Sequence, residues 1–309
     1  MAQLIKLQDY ISRYEIDLAR YPTQFIRLKQ NQWERIKYQW QTGETIERWE
    51  HIEEEVKEEK KKSLFQKLFP FKKDVPEEEQ EDIEKVTISN EWATEGDSHQ
   101  EEDTTLNFEP NLVYTPKTLE ELKKMFIDQF FHFQMKWASS TLREKSYVDP
   151  KFMRDTLLRS MLQTLPDNYL VFYYPILRVK KAPIELDIII MTPTECLCIT
   201  VLEQESQAVY IANSERFWLK KDGKNEKKVL SPLIQLNRME KVVEQIFHQN
   251  NIELPIRKVL LTRNGYIDYP GTMYGISFVD KRKFPEWMAQ LKHSVSPMRH
   301  MQIRGAQAI

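Results

Sequence analysis

Between Asp74 and Glu109 the sequence carries fourteen acidic residues against a single basic one, Lys85, with few branched apolar side chains among them. Such a stretch buries too little surface to offset the entropy of ordering it, which predicts a disordered acidic linker over roughly 74–110. The tract carries −13 in a chain of 309 residues whose net charge is −2, so the remainder stands at +11. It divides the sequence into an N-terminal part over 1–60, a basic segment followed by the linker over 61–111, and a domain over 112–309 with its core at about 150–295.

Hydrophobic residues make up 41% of the chain, enough for a packed core, yet no run approaches the ~18 apolar residues a transmembrane helix needs. The first residues mix charges into their apolar positions and lack the apolar stretch of a secretory signal. Seven glycines in all exclude glycine-rich phosphate loops and dinucleotide fingerprints, which need clustered glycines to bring backbone close to phosphate. Two cysteines, Cys196 and Cys198, cannot form a disulfide framework and suit a reducing, cytoplasmic setting. On one strand face they offer two thiols to a soft metal, but no further ligands are evident and a core role is expected.

Residues 1–60 read as an amphipathic helical module. Leu4, Leu7, Tyr10, Ile11, Tyr14 and Leu18 follow helical spacing, Tyr21-Pro22 interrupts, and Phe25, Leu28, Trp33, Ile36, Trp40 and Trp49 continue on a second helix. Its tryptophan- and tyrosine-rich stripe needs cover from the C-terminal domain, a second copy, or another protein partner. Lys60–Lys73 then holds six lysines and no acid, interleaved with Leu64, Phe65, Leu68, Phe69 and Phe71. Three roles fit: a solvated helix end balancing the acidic tract, a patch for an anionic membrane surface, or a patch for nucleic acid.

After the linker the pattern is that of a mixed α/β domain. Thr118 and Glu121 make a capping box ahead of Leu122, Phe126, Phe130, Phe133 and Trp137. Asp149-Pro150 opens a helix carrying Leu157, Leu158, Met161, Leu162 and Leu165. Strands are expected over 169–179, 184–191 and 196–202, with a hairpin over 209–212 and 216–219. Ser231-Pro232 starts another helix, 258–262 and 276–279 read as strands, and a last helix begins near Pro285.

Within this frame, about 150–295 resembles the NERD (nuclease-related domain) family, a branch of the restriction-endonuclease-like fold. Met153-Arg154-Asp155 stands where the family has a helix acid. The stretch from Glu185 to Ile190 is similar to the strand bearing the metal-binding aspartate, here Asp187. Trp218 falls in the tryptophan region, and Ser231-Pro232-Leu233-Ile234-Gln235 resembles the Pro-x-x-Gln motif. The resemblance implies a mixed sheet core flanked by helices, and in an active member a magnesium-dependent nuclease. There, carboxylates hold the ion that activates water, and a lysine stabilises charge on the phosphate.

The sequence departs from that pattern where the family has Glu-x-Lys. Counting from Asp187 across the turn places Thr200-Val201-Leu202 there, with neither carboxylate nor cation. A one-residue slip would bring in Glu203 but reverse the strand face, and Glu205 is still not a lysine. The expectation is therefore a decayed nuclease site whose relics are Asp155, Asp187, Glu203 and Gln235. Asp187 with Glu185 remains able to hold a cation without hydrolysis. Non-catalytic nucleic-acid binding or an adaptor role follows; a rearranged magnesium-dependent nuclease and a membrane-surface adaptor are the alternatives.

Overall fold

The computed structural model describes residues 1–43, 108, 110, 116–141, 143–179, 182–202, 207–271, 274–293 and 296–309. Lys60–Lys73, Glu203, Glu205 and nearly all of the expected linker lie outside the described residues. Met1–Trp33 and Pro110–Ile309 form one compact unit, and Glu34–Glu109 form another. The first 33 residues are thus built into the α/β unit, where the sequence suggested a separate module ending at residue 60.

A six-stranded mixed sheet runs β1 (Gln3–Leu7), β2 (Leu170–Tyr173), β5 (Ile188–Met191), β6 (Cys196–Val201), β10 (Ile256–Leu261) and β12 (Ile276–Val279). β1 is parallel to β2, and β6, β10 and β12 are mutually parallel. β5 is antiparallel to both its neighbours. The helices are α1 (Tyr21–Thr42), α2 (Leu119–Trp137), α3 (Pro150–Arg154), α4 (Thr156–Thr164), α5 (Pro232–Gln249), α6 (Phe284–His293) and α7 (His300–Ala308). None among the described residues is long and apolar enough to cross a membrane. The mixed α/β class expected from the sequence is the one observed.

Successive strand residues face opposite sides, so the sheet's two faces can be read from its register. Val171, Tyr173, Ile188, Ile190, Leu197, Ile199, Val259 and Leu261 form one core with Phe131 and Met135 of α2, Leu157, Leu158, Met161 and Leu162 of α4, and Met288 and Leu291 of α6. α5 packs on β6 and β10, and α7 on β5, over the other face. Each fully buried Leu or Ile here contributes about 1.5–3 kcal/mol relative to exposure.

A helix was expected over the first twenty residues; the structure has β1 and a 3-10 turn at Arg13–Glu15. Gln3, Leu4, Ile5 and Leu7 are all buried, so β1 shows no alternation. Its apolar spacing matches a helix by coincidence. What makes it a strand is distant: the Gln3 amide donates to the Tyr169 carbonyl at 2.9 Å, and Leu7 lies opposite Tyr173. Three aromatics of the stripe that follows, Tyr21, Phe25 and Trp33, are covered from inside the same unit, while Trp49 lies outside the described residues. Tyr21 meets Trp137 at 5.7 Å, Phe25 meets Phe130 at 5.0 Å, and Trp33 meets Phe126 at 5.4 Å between ring centres.

Each of the two long strands expected near 169–191 breaks in the middle. One bends at Tyr174-Pro175, where Tyr174 takes φ +48° and Pro175 has no amide to give; the other bends at Leu186-Asp187. Beyond the bends the pair continues as a separate ribbon, β3 (Ile176–Val179) with β4 (Ala182–Glu185). A four-stranded sheet, β11 (Tyr266–Asp268), β7 (Val209–Ala212), β8 (Phe217–Asp222) and β9 (Asn225–Leu230), completes the unit. The sequence did not reveal β9, whose Asn-Glu-Lys-Lys start hides any apolar alternation, nor the three-residue β11.

Candidate functional site

The carboxyl ends of β2, β6, β10 and β12 share one edge of the six-stranded sheet, the edge at which open α/β sheets hold ligands. β5 runs the other way, so the residue just before it, Asp187, sits at that same edge. The β5–β6 ladder pairs Ile188 with Ile199; one step further places Thr200 opposite Asp187. The register expected from the sequence is therefore the observed one.

Asp187 is buried, and neutral donors hold both its carboxyl oxygens. The Thr200 hydroxyl donates to Oδ2 at 2.6 Å, and the Gln235 side-chain amide donates to Oδ1 at 2.6 Å. Gln235 reaches it because Ser231 and Pro232 fix the start of α5 and set Gln235 in the first turn, over the face that carries Cys196, Cys198 and Thr200. Burial raises the Asp187 carboxyl above its ordinary 3.8 and the nearby Glu185 charge adds to this, while the two hydrogen bonds pull the other way. The result is a shift towards the protonated form.

Asp155 occupies a different setting. It interrupts the single helix expected from Asp149 onward, closing α3 and capping α4, where its Oδ1 accepts from the Leu157 and Leu158 amides at 2.9 and 3.1 Å. Its Oδ2 accepts from the Tyr173 hydroxyl at 2.6 Å. Burial and the Asp155 charge keep that phenol protonated far above its ordinary range. Tyr173 lies opposite Ile188, on the face covered by α2, α4 and α6, whereas Gln235 binds Asp187 from the other face. Asp155 and Asp187 are thus gripped from opposite sides of the sheet.

Of the residues singled out from the sequence, Asp187 and Gln235 come together, Asp155 serves a helix start, and Glu203 is outside the described residues. Glu185 is exposed on β4, separated from buried Asp187 by the bend. Tyr173, the partner of Asp155, carries no sequence signal of that role, because nothing in a buried strand marks which hydroxyl meets a carboxylate. Trp218 is 1% exposed and packs by Tyr269, in the core of the four-stranded sheet. Cys196 and Cys198 are buried thiols; their mutual hydrogen bond and burial push the Cys196 thiol up.

A magnesium ion wants an octahedron of oxygen ligands, with several of its waters retained. Asp187 offers one carboxylate already held by an amide N–H and a hydroxyl, and no group of three His, Cys, Asp or Glu among the described residues is placed to hold a metal. The described residues do not fit that ion.

Residues 153–262 match the family model of the nuclease-related domain (NERD), the family that the sequence resembles. A 41-residue stretch is 61% identical to an RNA 2',3'-cyclic phosphodiesterase of Geobacillus stearothermophilus, covering 13% of this chain and 13% of that protein. No solved structure matches this chain.

Proposed function

We propose that this chain is a nuclease-related-domain protein that binds nucleic acid without cleaving it. The observation that carries this reading is the 2.6 Å hydrogen bond from Thr200 to Asp187, at the place where a cleaving member needs a second carboxylate. Phosphodiester hydrolysis needs metal-activated water and a cation against the developing phosphate charge. Threonine supplies a neutral hydroxyl, and Leu202, two residues on, supplies no cation. The nuclease-related match over 153–262 supports nucleic acid as the class of ligand, and the excess of basic residues outside the acidic tract supports a polyanion.

The test is incubation of the full chain, with magnesium or manganese, on plasmid, linear duplex, single-stranded DNA and RNA. RNA belongs among the probes because the name of the short-matching relative concerns RNA. All four should stay intact over hours. Reproducible cleavage that disappears in Asp187→Ala would overturn the reading and make this a rearranged nuclease.

A further inference from the structure

The turn that joins β7 to β8 faces the first turns of α5 across a cavity of about 390 Å³. Residues 212–215 bound it on one side and Leu233, Ile234 and Asn237 on the other, with Tyr269 and Pro270 after β11 and the buried Trp218 as its floor. The Tyr269 ring stacks on Phe278 at 4.8 Å and meets Trp218 at 6.1 Å between ring centres, so the aromatic wall is fixed before anything enters. Apolar walls with a few placed polar groups are the usual make-up of a small-ligand site.

Two polar groups on the lining choose the occupant. The Lys258 ammonium, which can only donate, lies 3.0 Å from Asn237 Oδ1 and 2.6 Å from Glu240 Oε2. That contact fixes the amide: its oxygen turns to Lys258, and its Nδ2, with no acceptor among the described residues, is the end left for the cavity. Glu215, exposed at the rim, brings a carboxylate, which only accepts. An occupant that satisfies both therefore carries an acceptor and a donor on an apolar body. A phosphate has no donor and is repelled by Glu215, and an alkylammonium has no acceptor for Asn237. A nucleobase has flat apolar faces and an edge on which donors and acceptors lie side by side.

We infer that this cavity holds one unpaired nucleobase. Tyr269 and Ile234 lie against the base, Asn237 donates to its ring nitrogen or carbonyl, and Glu215 accepts from its N–H. Ile234 and Asn237, three residues apart, share one side of α5, whereas Gln235 turns to Asp187. The cavity and the nuclease-like site thus use different sides of one helix turn. The inference rests on the nucleic-acid reading above for its occupant, and gives that reading a place where a base is held.

The experiment is saturation-transfer NMR on the full chain with adenosine, guanosine, cytidine and uridine, probes that carry no phosphate and no charge. N-acetyltyrosinamide serves as the peptide-like competitor, and anisotropy of a labelled single strand is measured in parallel. Nucleosides should bind, with saturation strongest on their base protons and affinity unchanged by salt. Asn237→Asp keeps an oxygen for Lys258 and removes the donor, and should weaken nucleoside binding about tenfold. Ile234→Trp, at a helix position 42% exposed, fills the cavity and should abolish binding, with thermal melting to show that the fold survives. Wild-type nucleoside affinity in either variant overturns the site. N-acetyltyrosinamide bound as tightly as the best nucleoside overturns the choice of occupant. A strand that binds while no nucleoside does overturns this inference and leaves the nucleic-acid reading standing. No strand bound at low salt overturns that reading and, with it, the base as occupant.

Discussion

Asp155 and Asp187 are the two acids that the sequence marks most clearly, and each accepts a hydroxyl hydrogen at 2.6 Å. Their remaining partners differ. Asp155 receives two backbone amides at the start of α4, where the helix dipole also favours negative charge. Asp187 receives no backbone amide among its hydrogen bonds, only the Gln235 side chain, and burial with Glu185 nearby disfavours its charge. One acid has a structural task that needs its carboxylate. The other keeps its place on a catalytic-looking sheet edge while its partners suit a neutral or weakly charged group.

The comparison sets an order of effects. Asp155→Ala should cost the most: losing the cap removes about 1 kcal/mol, and leaving the buried Tyr173 hydroxyl unpaired adds about 1–3 kcal/mol. Denaturant unfolding should show a loss near ~3 kcal/mol, and an effect under about 0.5 kcal/mol would break the claim that Asp155 is structural. Thr200→Val comes next, at about 1–2 kcal/mol, because it strips one donor from a buried carboxyl without changing volume much. That loss should shrink in acid, where the protonated Asp187 depends less on a donor. A loss independent of pH would mean that the hydroxyl acts elsewhere.

Asp187→Asn should have the smallest effect, and its sign should depend on pH. Because the folded carboxyl titrates above the ordinary 3.8, the folded state binds more protons than the unfolded state between those two values. Wild-type stability therefore falls as pH rises through that window. The asparagine variant escapes this loss, accepting from Gln235 and donating to a rotated Thr200 hydroxyl. Relative to wild type, its melting temperature should rise from acid to neutral pH and then level off. A variant that loses stability towards neutral pH would show Asp187 to be held as a charged group.

Much of the α/β unit is legible in the sequence because local rules suffice there. Asp149 and Thr118 announce helix starts through side-chain caps, Pro232 announces one by its place in the first helical turn, and the apolar run at 196–201 announces a buried strand. β1 is not legible, since its identity comes from pairing with residues more than 160 positions away. The Tyr174 and Asp187 bends are equally hidden, because a sheet decides where a paired ribbon leaves it. At the site, counting from Asp187 was enough to place Thr200, since strand register across a short turn is arithmetic. That Asp155 would cap a new helix, and not extend an old one, required knowing where Tyr173 lies.

The central claim is that Asp187 is held by neutral donors and does not carry a divalent cation. Its most direct test is a manganese titration of the full chain followed by electron paramagnetic resonance, run in parallel on wild type and Asp187→Asn. Superimposable isotherms are expected, any weak binding coming from acidic residues elsewhere. A saturable site in the wild-type chain that vanishes in Asp187→Asn would contradict the claim.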